Sequence, residues 1–158
     1  MTPAGGGPAP FLPSGDGGGA VALADVVDRP VTVAELEALV ATSADGAVVT
    51  FAGVVRDHDG GKGVSALGYE AHPTAGDVIR SVAAAIVAEH PDVRIAVLHR
   101  VGDLVIGDVA LACAVAAPHR GQAFAACAAL VDLVKDEVPI WKHQRFADGS
   151  DEWVAAGA

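Results

Sequence analysis

Val134-Lys135-Asp136-Glu137-Val138-Pro139-Ile140-Trp141-Lys142 carries two lysines seven positions apart, with a proline between them. Pro139 has no amide hydrogen and disfavours helix at the residue before it. The stretch therefore predicts a helix ending near Val138 and an extended segment beginning near Ile140. Lys135 falls in the last helical turn and Lys142 on the strand that follows. Read backwards, Phe124, Cys127, Val131, Val134 and Val138 recur at helical spacing and form an apolar stripe. At about 100° per residue, Lys135 lies about 20° from Phe124 and about 40° from Val131, inside that stripe. A lysine so placed snorkels toward the negative end of the helix dipole, pairs, or loses its proton. In the last case desolvation lowers its pKa, and it can act as nucleophile or proton carrier.

The chain has 158 residues, enough for one domain with a proper core. Its formal net charge of -10 argues against nucleic acid or an anionic membrane as partner. Hydrophobic residues make up 52%, largely alanine, which suits close packing. The two cysteines, Cys113 and Cys127, form no CxxC and join no zinc-spaced cluster. Both fall on apolar faces, so inert buried thiols in a reducing compartment are expected. Residues 1–20 are dominated by glycine and proline, with no basic start and no long apolar run. That composition predicts a disordered tail rather than a signal peptide, followed by a single domain over 21–158. No uncharged stretch is long enough to span a bilayer, so a cytoplasmic protein is expected.

Val21–Val27 reads as a short strand. Thr32-Val33-Ala34-Glu35 has the form of a capping box and opens a helix over roughly Val33–Thr42. Ala47–Arg56 is apolar and β-branched throughout, which predicts a central strand. The loop Asp57-His58-Asp59-Gly60-Gly61-Lys62-Gly63 follows. A phosphate loop would need glycine at Arg56 and Ser or Thr at Gly63. Three consecutive residues, Asp57 to Asp59, converge poorly on a metal, so a mobile loop beside a site is the better reading. Val64–His72 is a strand. Pro73 suits the first turn of a helix whose buried face is Val78, Ile79, Val82, Ala85 and Ile86. Val93–Arg100 is a strand ending in His99-Arg100, Gly102-Asp103 is a turn, and Leu104–Ile106 is a short strand or arm. Val109–Ala117 alternates strictly, with Val109, Leu111, Cys113 and Val115 on one face and alanines on the other. The alanine face would let a helix pack closely.

Pro118-His119-Arg120-Gly121 precedes the Lys135 helix. A helix start offers free amide hydrogens and partial positive charge, so His119 and Arg120 there suit an anion or phosphate. Arg56, Arg100, Arg120, Lys135 and Lys142 all stand at or near element ends, in a chain with ten Lys plus Arg. An acidic protein that places scarce cations at element ends is expected to bind an anion.

Five segments stand in one order: Phe51-Ala52-Gly53-Val54-Val55-Arg56, Leu67-Gly68-Tyr69-Glu70, His99-Arg100-Val101-Gly102, His119-Arg120-Gly121-Gln122-Ala123-Phe124, and Lys135 with Pro139-Ile140-Trp141-Lys142. From about Val31 to Trp153 the chain resembles the catalytic (large) subunit of molybdopterin synthase. The resemblance implies an α/β (α+β) fold of hammerhead-like arrangement, a mixed or antiparallel sheet with packed helices. It implies a large-subunit homodimer at the centre of a heterotetramer. It also implies a sulfurtransferase, which adds two sulfurs to cyclic pyranopterin monophosphate to form the molybdopterin dithiolene. The donor is a small ubiquitin-like sulfur-carrier subunit ending in a Gly-Gly thiocarboxylate. By that pattern Lys135 and Lys142 are catalytic, and Arg56, His119 and Arg120 line the substrate pocket, with His99 and Arg100 as further candidates. The carrier sulfur is itself the nucleophile, so no metal or organic cofactor is called for.

The chain departs from that pattern in places. Gln144 stands where relatives often have glutamate, His72 and Ala75-Gly76 stand where an aromatic and a methionine are common, and the end after Trp153 is uncharged. Two other classes of function fit parts of the reading. One is a module that docks a ubiquitin-like protein without catalysis, against which both lysines argue. The other is a phosphate-ligand sensor built on His119 and Arg120, in which Lys142 would be incidental.

Overall fold

The computed structural model describes residues 19–157. In chain order the elements are β1 (Ala20–Val27), α1 (Val33–Val40), β2 (Ala47–Val54), β3 (His58–Asp59), β4 (Lys62–Ala71), α2 (Ala75–Glu89), β5 (Arg94–Arg100), β6 (Gly102–Leu104), β7 (Val109–Ala117), α3 (Arg120–Glu137), β8 (Ile140–Phe146) and β9 (Asp151–Ala155). The expected tail lies outside the described residues except for its last two, of which Ala20 opens β1.

The strands form two sheets. The first runs β1-β5-β7-β2, with β1 parallel to β5 and the other pairs antiparallel. The second runs β3-β4-β8-β9, with β6 also paired to β4. The alternation of β7 decides the layering. Leu111, Cys113 and Val115 face Ile79, Val82 and Ile86 of α2 and Leu130 and Val134 of α3. Ala112, Ala114 and Ala116 face Leu36 and Val40 of α1. The helix expected over the alanine face is thus α1, entered through the expected capping box. Glu35 N donates to Thr32 Oγ1 at 3.2 Å, and Thr32 N donates to Glu35 Oε2 at 3.0 Å. Each fully buried Leu, Ile or Val in these layers contributes roughly 1.5–3 kcal/mol. Ile140, Tyr69 and Ala71 tie the second sheet into the larger core.

Four expectations are corrected. Ala47–Arg56 is not a central strand: β2 is the edge of its sheet, and its residues alternate between partly buried and exposed. It has a strand neighbour on one side, and Val48 and Val54 stay 39% and 52% exposed. The glycine-rich loop is a hairpin, because Gly60 and Gly61 take φ of +57° and +79° and turn β3 into β4. Gly102-Asp103 belongs to strand β6, not to a turn. On α2, Ala83 is buried and Ala85 exposed, so the buried face lies slightly to one side of the expected stripe. The helix break at Pro139 holds as read: α3 ends at Glu137 and β8 begins at Ile140.

Candidate active site

β8 enters the second sheet between β4 and β9, and register fixes what surrounds Lys142. Tyr69 and Val154 lie directly across from it on the two neighbouring strands. Two residues on, Gln144 lies across from Leu67 and Glu152. A strand alternates its side chains, so Lys142 and Gln144 share one face. The other face carries Trp141 and His143, whose ring stacks on Trp153 at 4.3 Å.

On the lysine face a narrow cleft of about 50 Å³ is lined by Arg56, His58, Asp59, Tyr69, Lys142 and Gln144, among others. Lys142 is half-buried. Desolvation lowers its pKa below the ordinary lysine value. Asp59 opposes that shift, Arg56 and Lys135 add to it, and Glu152 opposes it. A lowered pKa makes the ammonium a readier proton donor than an ordinary lysine. Asp59 is held by Gln144 Nε2 at 2.7 Å, which keeps its carboxyl below the usual range, and it faces Arg56 at 3.5 Å.

His99 lies under this region, 6% exposed, with its ring edge-on to Tyr69 at 5.2 Å. Its Nδ1 donates to the Arg100 carbonyl at 2.8 Å, since a carbonyl only accepts. Burial pushes its pKa down to about 4, and the nearby Lys135 charge acts in the same direction. His99 is therefore a neutral imidazole at physiological pH. Both cysteines are free and buried, and burial raises both thiols, as inert core residues require. Among the described residues no group of three or more His, Cys, Asp or Glu could hold a metal ion.

A wider groove of about 430 Å³ lies between α2 and α3, lined by Ile86, Glu89, Ala129, Asp132, Leu133 and Asp136. Three carboxylates and no cation line it, which is the wrong charge for an anionic ligand. The smaller cleft holds the cations.

The profile of the MoaE protein family matches residues 26–137. The molybdopterin synthase catalytic subunit of Nostoc sp. is 42% identical over 131 residues, 82% of this chain and 79% of the relative. Catalytic subunit 1 of the Mycobacterium tuberculosis enzyme is 42% identical over 140 residues, 86% of this chain and 92% of the relative.

The chain belongs to the MoaE family of molybdopterin synthase catalytic subunits.

These are enzymes of molybdenum-cofactor biosynthesis. The fold agrees: the crystal structure of molybdopterin synthase from Staphylococcus aureus superposes with a TM-score of 0.78 at 31% identity, covering 83% of this chain and 96% of that one. A Helicobacter pylori complex of subunits 1 and 2 of molybdopterin-converting factor shares the fold at 19% identity, with a TM-score of 0.63 over 84% of this chain and 88% of that one.

In this MoaE-family chain Lys142 and Arg56 line one cleft, and the charge of Lys135 is felt at Lys142. Lys135, expected inside an apolar stripe, is exposed, as is Phe124 at 62%. The buried stripe of α3 runs instead through Ala123, Ala126, Cys127, Leu130, Val131 and Val134, where alanines do the close packing. Beside Lys135 the chain end passes so near that a Cβ at Gly157 would overlap the Lys135 carbonyl. Arg100 is largely buried and pairs with Asp108 at 3.2 Å. That carboxylate also accepts from Val105 N at 3.0 Å, so Arg100 braces a turn. His119 and Arg120 start α3, and Lys135 is in its last turn. Fifteen residues of helix separate Arg120 from Lys135, about 22 Å at 1.5 Å per residue, so a single chain does not bring them to one cleft. Asp59, Tyr69 and Glu152 were not foreseen around Lys142, and Gln144 was read only as a departure from the family pattern. The Gly60-Gly61 pair was the available signal for the first, since it marks a hairpin that brings Asp59 back onto the sheet.

Proposed function

We propose that this chain transfers sulfur from the thiocarboxylated tail of a small ubiquitin-like subunit to cyclic pyranopterin monophosphate. The observation that carries the proposal is the meeting of Lys142 and Arg56 in one narrow cleft, with Lys142 half-buried, its pKa lowered by burial and the charge of Lys135 felt there as well. The carrier sulfur attacks a side-chain carbon of the pterin, and a C–S bond forms as the C–O bond at that carbon breaks and its oxygen leaves protonated. Water then adds to the acyl carbon and the acyl–sulfur bond breaks, which leaves the sulfur on the pterin and the carrier as a carboxylate. Protons must move at the pterin and the acyl carbonyl must be polarised. Lys142 suits the proton-moving role, because burial lowers its pKa below the ordinary lysine value. Lys135, exposed and near enough for its charge to act on Lys142, suits the fixed charge that draws in the anionic tail. Arg56 supplies a further cation for the substrate phosphate.

His119 and Arg120 reach the same cleft only from a second copy of the chain. Both are exposed, and neither has an ion-pair partner among the described residues. Phe124, one turn along the helix from Arg120, projects with it, and β2 leaves an apolar edge uncovered. These features support a homodimer at the centre of a heterotetramer with two small subunits. A cytoplasmic location is part of the same reading. It is supported by two free buried cysteines and by the fact that no helix among the described residues is long and apolar enough to cross a membrane.

The test is reconstitution from purified protein, the thiocarboxylated partner and cyclic pyranopterin monophosphate, with molybdopterin as readout. Product formation is expected. Partner binding without product would favour the docking module. Binding of the phosphorylated pterin without any need for the partner would favour the sensor.

A further inference from the structure

We infer that Gln144 is a positioning residue of the lysine cleft, whose side-chain amide holds the carboxylates of Asp59 and Glu152 against the strand face that carries Lys142. The inference rests on the reading of Lys142 as the proton-moving lysine. Gln144 is 3% exposed and lies across from Leu67 on one neighbouring strand and Glu152 on the other. Its Nε2 donates to Asp59 Oδ2 at 2.7 Å and to Glu152 Oε1 at 2.8 Å. A primary amide has two hydrogens on nitrogen, so one serves each carboxylate and the group is used up. The other Asp59 oxygen faces Arg56 at 3.5 Å. A continuous polar chain, Arg56–Asp59–Gln144–Glu152, thus runs beneath Lys142 from β3 across β8 to β9.

The residue type matters here. A glutamate at 144 would place a third carboxylate where two acids need a donor. An apolar residue would leave two like charges side by side with nothing between them. Asp59 also ends a two-residue strand before an exposed Gly-Gly turn, so little besides Gln144 and Arg56 fixes its side chain. The arrangement keeps two acids near Lys142 without pairing them to it: among the described residues no carboxylate lies within salt-bridge distance of its Nζ. The ammonium is stabilised through space while the side chain stays free to meet substrate. The charged and titratable groups that bear on it are Asp59, Glu152, Arg56 and Lys135, with Tyr69 and His58 lining the same cleft.

The test measures reaction of Lys142 with an amine-acylating reagent across pH, read by peptide mass spectrometry on the intact protein. Gln144→Met keeps length and burial but removes the donor. It is expected to move the midpoint for Lys142 downward by roughly half a pH unit, because the acids are no longer held beside the ammonium. Asp59→Asn should do the same. The double variant should shift no further than either alone, since one linkage is being broken twice. The pH profile of molybdopterin formation should move with the midpoint. A folded Gln144→Met with an unmoved midpoint, or strictly additive shifts in the double variant, overturns the inference. If Gln144→Met does not fold, Glu152→Gln at the exposed strand β9 decides instead, with a downward shift expected and no shift overturning. The acylation readout needs no turnover. A shifted midpoint in a protein that makes no molybdopterin would therefore sustain the clamp and reject the functional reading.

Discussion

Lys142 and Lys135 stand in unlike surroundings, and the proposed function gives them different work accordingly. Lys142 is half-buried with its pKa lowered by desolvation, whereas Lys135 is exposed. Lys142→Ala should lower kcat by roughly 10²–10⁴-fold, the usual contribution of a positioned acid or base. Lys135→Ala should act mainly on KM for the thiocarboxylated partner. Steady-state kinetics separate the two, and the opposite split would exchange their roles. His99 gives a prediction about stability. Its folded pKa, about 4, is below the ordinary 6.5, so between those values the unfolded chain binds more protons than the folded one. Stability contributed by the neutral ring is present above pH 6.5 and is lost as pH falls toward 4, up to about 3 kcal/mol. Urea melts at pH 7 and pH 4.5 should show a smaller acid loss for His99→Gln than for the parent. An equal loss would mean that protonating His99 costs the fold nothing.

At the scale of elements, the alanine face of β7 lets a short helix approach the sheet closely. α1 has eight residues and buries only Leu36 and Val40 within it, so its stability comes from contact with Ala112, Ala114 and Ala116 and from its capping box. Ala114 is fully buried. Ala114→Leu should overpack the interface and cost roughly 1–3 kcal/mol, read as a lower denaturation midpoint with an unchanged m value. Because α1 stands on the sheet face opposite α3, turnover of the folded fraction should be preserved. A variant as stable as the parent would show that α1 can shift outward freely.

The whole molecule poses a question that one chain does not answer, because α3 is long enough to hold His119 and Arg120 at one end and Lys135 at the other. If a second copy supplies His119 and Arg120, Lys142→Ala and Arg120→Ala damage the same site from different chains. Each variant alone should be nearly inactive. After mixing and exchange, half of the dimers are mixed, and each has one intact site and one doubly damaged site. Activity should return to about a quarter of the parent level. No recovery despite demonstrated subunit exchange would place Arg120 outside the site, as a surface residue of its own chain.

Local chemistry made much of this protein legible from its sequence. Pro139 cannot donate an amide hydrogen, so the end of α3 and the start of β8 were determined within the chain, and with them the places of Lys135 and Lys142. Thr32 and Glu35 cap α1 through contacts three residues apart, and the alternation of Val109–Ala117 dictates two unlike faces. The ordered cationic segments pointed to the family. Tertiary structure alone decided the rest. An apolar run does not say whether its strand is central or at an edge, because that depends on which strands pair beside it, and β2 has a neighbour on one side only. Helical spacing placed Lys135 in an apolar stripe, but the stripe that packs is set by the sheet beneath α3, which selects Ala123 and Ala126 and leaves Phe124 outside. The surroundings of Lys142 come from β3, β4 and β9, with Asp59 85 positions from Gln144 in sequence. Only the register of distant strands brings such residues face to face, and no local pattern encodes that register.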